Sequence, residues 1–176
     1  IYTLSLHDAL PILVIIVMAV AVIIKPTIVK ESSMEPTLYE NDYLLVNKKA
    51  YLLSGPERGD IIVFHSKIEA EEGMGDGNGK KLLIKRIIAL PGDKVTIDDG
   101  EVYVNGKKQN EDYIADGGTS GSVSDVEIPD GKLFVMGDHR EVSLDSRVDS
   151  VGYVDEDDVV GKAFVRLYPF NKIRTL

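Results

Sequence analysis

The chain has 176 residues, enough for one domain with a substantial core and too few for two comfortable ones. A formal net charge of −9 gives no electrostatic footing for gripping phosphate backbones and argues against nucleic acid as a partner. Cysteine is absent and the three histidines, His7, His65 and His139, are scattered, so disulfides, thiolate chemistry and metal-ligand spacing all lack a basis and neither metal nor cofactor is expected.

In chain order, residues 1–11, "IYTLSLHDALP", form an uncertain segment. They lack an initiator Met and place His7, Asp8 and Pro11 where an apolar helix should continue, the pattern of a fragment or a faulty join. From Ile12 to Ile24 the chain reads "ILVIIVMAVAVII", thirteen apolar residues ended by Lys25 and Pro26. That is shorter than the roughly 18–20 residues of a helix spanning the hydrocarbon core. A membrane anchor over residues 12–24, a signal-peptide core and a buried core helix all fit such a run. "VKESSM" is a poor small-residue cleavage site, so an uncleaved single anchor is the expectation.

Beyond it come short β-branched or alternating runs bounded by Gly, Pro, Asn or Asp: "DYLLVNK" (42–48), "GDIIVFH" (59–65), "KLLIKRIIAL" (81–90), "DKVTID" (93–98), "EVYVN" (101–105), "KLFVMGD" (132–138) and "GKAFVRLYP" (161–169). With 16 Gly, 7 Pro and no Trp, the pattern predicts a mostly β domain over residues 27–176. Asp99-Gly100 and Asn105-Gly106 suit two-residue hairpin turns, whose central residues need positive φ. Two stretches, "SKIEAEEGMGDGNGK" (66–80) and "ADGGTSGSVSD" (115–125), are too poor in apolar residues to offset their ordering entropy and read as mobile loops.

The stretch "KESSMEPTL" (30–38) sets Ser32 and Ser33 side by side between Glu31 and Glu35. A serine hydroxyl is nearly inert at neutral pH without an adjacent base. His139, in "GDHREVSLDSR" with Asp138 and Asp145 nearby, and His65 at the end of a run carry no triad or nucleophile-elbow signature. Lys85 is the alternative: it sits in an apolar β-like run, where alternation turns one face inward and burial disfavours the ammonium form. On that run alone, a Lys85 that snorkels to the surface or neutralises an acidic neighbour fits as well.

Taken in order, "SMEPT" (33–37), "RGDIIVF" (58–64), "KRIIALPGD" (85–93) and "GDHREVSLDSR" (137–147), behind an apolar N-terminal segment, resemble the bacterial type I signal peptidases, the membrane-anchored leader peptidases. The resemblance covers nearly the whole chain after Lys25. It implies a coiled β-sheet domain with Gly/Pro-rich turns behind one N-terminal transmembrane helix. The lysine and the short single-anchor chain look like the compact Gram-positive form.

The resemblance also implies a serine endopeptidase in which Ser33 is the nucleophile, Lys85 the general base and Ser143 the hydroxyl that orients the amine. Asp145 with Arg147, and Asp138 with Arg86, would be supporting pairs. Val29, Met34, Leu38 and Ile84 would line a shallow P1 pocket, and Leu44 and Val63 with Val29 and Ile84 a P3 pocket, although all six are also ordinary core residues. Substrates would be secretory preproteins cut after Ala-X-Ala-type sites, at the extracytoplasmic face of the cell membrane, with lipid as a neighbour. Two positions depart from the family: Glu31 stands where Ser or Gly is common, and His139 where Asn is common in "GDNR". A carboxylate aimed at a developing oxyanion would cancel its stabilisation, so Glu31 is expected to point away and the Ser33 backbone N–H to take that role. Rival readings are a specialised peptidase processing pilin or conjugation substrates, a self-cleaving repressor-type Ser-Lys protease, and a non-catalytic membrane-anchored β assembly domain.

Overall fold

A computed structural model describes residues 6–70, 79–115 and 117–176. Residues 1–5 of the uncertain N-terminal segment and residues 71–78, most of the first expected loop, lie outside the described residues. Helix α1 (Leu6–Ile23) runs through Pro11 and takes in most of the apolar run. Its apolar side chains, among them Leu13, Ile15, Met18 and Val22, are exposed. Among the described residues no helix is long and apolar enough to cross a membrane.

Among the described residues twelve strands follow: β1 (Ile24–Ile28), β2 (Tyr43–Asn47), β3 (Ile61–Glu69), β4 (Lys80–Ala89), β5 (Lys94–Asp98), β6 (Glu101–Val104), β7 (Lys107–Lys108), β8 (Val123–Glu127), β9 (Lys132–Met136), β10 (Val154–Asp155), β11 (Val159–Tyr168) and β12 (Arg174–Thr175). The larger sheet has the order β1-β2-β11-β3-β4-β9-β10, with β12 added to β11, and the smaller the order β7-β6-β5-β8. The mostly β expectation therefore holds. Asp99-Gly100 and Asn105-Gly106 have positive φ at all four residues and close the turns on either side of β6, as their chemistry predicts.

Three differences from the sequence reading have physical causes. Residues 24–26 are not the end of an anchor and a linker but part of β1, antiparallel to β2 with Ile24 opposite Asn47. Pro26 is tolerated there because β1 is an edge strand and needs no inward-facing N–H at that residue. The stretch 115–125 is not a free loop: Thr119 is buried, its N–H donates to the Gly100 carbonyl at 2.8 Å, and Val123–Asp125 begin β8. Ser66–Glu69 likewise extend β3 and Lys80 begins β4.

The large sheet is buried on both faces near its centre, which is why β3 opens with four consecutive buried apolar residues, Ile61–Phe64, rather than an alternating run. Ile61 and Val63 join Val29, Met34, Leu38, Leu44, Val46 and Ala163 on one side. Ile62 and Phe64 join Leu83, Ile87, Leu133, Val135, Val151 and Val154 on the other. A third cluster, including Val95, Ile97, Val104, Ile128 and Phe134, lines the small sheet where it meets β4 and β9.

Candidate active site

The nucleophile candidate is presented by a tight turn. Glu31 is extended (φ −133°, ψ 156°) and Ser32–Met34 form one 3-10 turn, closed by the Glu35 N–H on the Ser32 carbonyl at 3.0 Å. Met34 and Leu38, exposed by 1% and 0%, seat the turn in the core. The Thr37 carbonyl, just behind, accepts from Arg166 Nη1 at 3.2 Å and Arg174 Nη2 at 2.8 Å, and Arg166 is paired with buried Asp42. This clamp was not expected from the sequence, because Arg166 reaches its partners across more than 120 residues.

Lys85 comes from the middle of β4, opposite Ile62 of β3. The burial pattern alternates as expected: Leu83, Lys85 and Ile87 are buried, Leu82, Ile84 and Arg86 only partly so. Lys85 is 1% exposed, and its Nζ donates to Ser33 Oγ at 2.6 Å across 52 residues of sequence. It does not snorkel. Burial pulls its pKa down to about 8, against smaller opposing pulls from the negative charges of Asp145, Glu31 and Asp138, and with a small push from Lys81 in the same downward direction.

The "GDHREVSLDSR" segment closes over this pair. The His139 N–H donates to the Ser33 carbonyl at 3.1 Å, and the Ser143 N–H returns to the His139 carbonyl at 3.1 Å. Gly137 lies so close that a Cβ there would sit 2.4 Å from the Ser33 carbonyl oxygen and 2.3 Å from Ser143 Oγ. Ser143 Oγ is buried without a well-formed hydrogen bond, yet it lies near enough to Asp145 to help lower that carboxyl's pKa. His139 Nδ1 is likewise buried without a partner.

Both expected supporting pairs form. Arg147 grips Asp145 through Nε and Nη2, each at 2.8 Å, while the Gly137 N–H donates to Asp145 Oδ2 at 3.0 Å. Burial alone would raise the Asp145 pKa; Arg147, the Gly137 amide and Ser143 outweigh it and hold the carboxyl below its usual range. Arg86 grips Asp138 through Nε at 2.9 Å and Nη2 at 2.6 Å and donates Nη1 to the Gly59 carbonyl at 2.8 Å. Arg86 and Lys85 are neighbours on one strand and so point to opposite faces, one bracing the turn and one meeting Ser33.

A second layer was invisible in sequence. Arg140, 3% exposed, donates Nη1 to Glu111 at 2.9 Å and Nε to the Gly137 carbonyl at 3.1 Å, and also meets Thr119 Oγ1. Tyr113 hydrogen-bonds Glu111 at 3.0 Å, and its ring lies 4.0 Å below the Arg86 guanidinium. Glu111, Tyr113 and Thr119 belong to connections of the small sheet, so only the tertiary fold brings them to the motif.

Of the six expected pocket residues, Val29, Met34, Leu38, Leu44 and Val63 are buried at 2% exposure or less in one apolar cluster, and Ile84 packs on it partly exposed. The charge of Glu31 is felt at the Lys85 amine. Its carboxylate pairs with Lys81 at the rim of the site.

Comparison with known proteins agrees with this geometry. Residues 4–168 match the family model described as signal peptidase, peptidase S26. The chain is 41% identical over 148 residues to a probable signal peptidase I-2 of Synechocystis, covering 84% of this chain and 65% of that protein. It is 38% identical over 158 residues to signal peptidase I U of Bacillus subtilis, covering 85% and 79%, and 36% identical over 170 residues to signal peptidase IB of Staphylococcus aureus, covering 86% and 82%. A crystal structure of a signal peptidase I from Enterococcus faecalis superposes with a TM-score of 0.50 at 30% identity, covering 62% of this chain and 97% of that one. The chain therefore belongs to the signal peptidase family, peptidase S26, and is a serine endopeptidase of the signal peptidase I type.

Proposed function

We propose that the chain is a membrane-anchored signal peptidase in which Ser33 and Lys85 act as nucleophile and general base to remove N-terminal signal peptides from secretory preproteins. The observation that carries this reading is the 2.6 Å contact between Lys85 Nζ and Ser33 Oγ, made by an amine that burial has brought down to a pKa of about 8. A neutral amine takes the Ser33 proton as Oγ attacks the scissile carbonyl, and the ammonium so formed protonates the departing amine. Lys85 then activates water to release the acyl group. The Ser33 N–H serves the oxyanion, and Ser143 and Asp145 fix the pocket around the amine.

Ile84, partly exposed and packed on the apolar cluster, forms the wall nearest the substrate, backed by Val29, Met34, Leu38, Leu44 and Val63. A shallow apolar wall of this kind accepts Ala at P1 and P3 and excludes larger side chains by sterics. The exposed apolar surface of α1 supports residence in a bilayer, with the β domain on the extracytoplasmic side. The test is cleavage of a preprotein carrying an Ala-X-Ala site by detergent-solubilised enzyme, with the cut located by mass spectrometry. Ser33→Ala and Lys85→Ala should each abolish the cut while the fold persists; a folded Lys85→Ala variant that still cleaves would remove lysine as the base.

A further inference from the structure

Ser33 and Lys85 are not the only contact between the nucleophile segment and β4. Two residues before Ser33, the Glu31 carboxylate pairs with Lys81 Nζ. Lys81 and Lys85 are four residues apart on one strand, so their side chains leave the same face, with roots about 13 Å apart along it. The short segment Glu31–Ser33 is thereby tethered at two points in parallel order, 31 to 81 and 33 to 85. Both partners of the outer tether are partly exposed, by 43% and 38% at the side chain, which places them at the mouth of the site rather than in the core.

A carboxylate at this position has an alternative that would be costly. Glu31 is extended, immediately before the turn that carries the attacking oxygen, and a negative charge swung toward the tetrahedral oxyanion would oppose the stabilisation that acyl transfer requires. We propose that Lys81 is a positioning residue of the active site, whose ion pair with Glu31 holds that carboxylate off the reacting carbonyl. This rests on the Ser33/Lys85 reading above. Four charged groups bear on the Lys85 amine: Asp145, Glu31 and Asp138 favour its ammonium form, and Lys81 opposes it. Removing Lys81 therefore takes away one influence that keeps the amine neutral and frees another that charges it.

The experiment compares the full chain in detergent micelles with Lys81→Ala, Glu31→Gln and the double variant Lys81→Ala/Glu31→Gln, using a preprotein with an Ala-X-Ala site. Lys81→Ala should lower kcat about tenfold with KM little changed, and should move the acid side of the pH–rate profile to higher pH. The double variant should recover to within about threefold of the parent, because the misplaced carboxylate is gone. A Lys81→Ala enzyme with parental kcat and pH profile, or a double variant as impaired as the single, overturns the proposal. Should Lys81→Ala fail to fold, Glu31→Gln decides: the acid side must move to lower pH, and an unmoved profile overturns it. Nitrogen-15 titration of the Lys85 amine reads the same shifts without substrate. A parent that cleaves nothing thus sinks the peptidase reading, while the titration still decides on Lys81.

Discussion

Burying Lys85 serves the proposed mechanism and opposes the fold at once. With its pKa brought down to about 8 from an ordinary 10.5, the amine is neutral in the folded protein at pH values where the unfolded chain still carries the proton. Between those two values the unfolded state binds more protons, so stability contributed by this group rises with pH; below about 8 the desolvation cost is fully present. That cost is about 3 kcal/mol at neutral pH. Lys85→Met, which keeps length and removes charge, should accordingly be inactive yet more stable than the parent near pH 7 by an amount of that order, with the advantage shrinking between pH 8 and 10.5. Urea denaturation across that range checks it, and a destabilised Lys85→Met variant at pH 7 would mean that the buried amine is not a burden. With Lys85 as the proposed base, the same shift predicts that cleavage rises with pH up to about 8 and then levels, since a base must be neutral to accept the proton. The approach of Lys85 to Ser33 followed in sequence only from the order of the four motifs, since the apolar run alone left a snorkelling lysine open and the paired serines alone did not single one out. Arg140 and Glu111 were not readable at all: buried ion pairs formed between distant segments leave no periodic trace.

At the scale of elements, the seven runs read from alternation and turn residues correspond to β2, β3, β4, β5, β6, β9 and β11, with ends displaced by a few residues. What escaped were strands whose residues lack that signature. β1 is "IKPTI", whose Lys25 and Pro26 read as the stop of the apolar run rather than as a strand, and β8 is built from "VSDVE", too polar to stand out, yet held by pairing with β5. Short partners such as β7, β10 and β12 are only two residues long and exist because a neighbouring strand offers an edge. The segment after β9 shows how an element positions chemistry. Gly137 follows Met136 directly and lets the chain pass between Ser143 Oγ and the Ser33 carbonyl, where any side chain would collide with backbone. Gly137→Ala should therefore cost about 1–3 kcal/mol of stability and displace Ser33 from Lys85. We expect cleavage to fall at least 100-fold, out of proportion to the loss in stability, because a displacement of about 1 Å at the reacting centre is costly. Thermal unfolding and single-turnover cleavage measured on the same preparation separate the two effects.

At the scale of the whole molecule, strands of the large sheet and the connection between β7 and β8 of the small sheet meet around a site that belongs to neither alone. The α1 end is stitched to the sheet, since the Lys48 N–H donates to the Ile23 carbonyl at 2.8 Å and β1 starts at the next residue. A variant lacking residues 1–21 should thus keep its sheet and cleave a short peptide, while losing flotation with vesicles; flotation unchanged by the deletion would place the membrane contact elsewhere. The small sheet has a more direct part. Glu111 and Thr119, from its connections, receive the buried Arg140 guanidinium, and Arg140 in turn holds the Gly137 carbonyl against the nucleophile turn. Removing only the acidic partner strands a cation with 2% of its side chain exposed. Glu111→Ala should cost about 3–5 kcal/mol, the penalty of an uncompensated buried charge, and should lower kcat through Gly137 although Glu111 touches neither Ser33 nor Lys85. Pairing it with Arg140→Met removes the stranded charge, and most of the stability should return while kcat stays low, because the Gly137 carbonyl has still lost its donor. If instead kcat recovers together with stability, the small sheet supports the site only by keeping the protein folded, and the Arg140 contact to Gly137 has no part in placing the nucleophile.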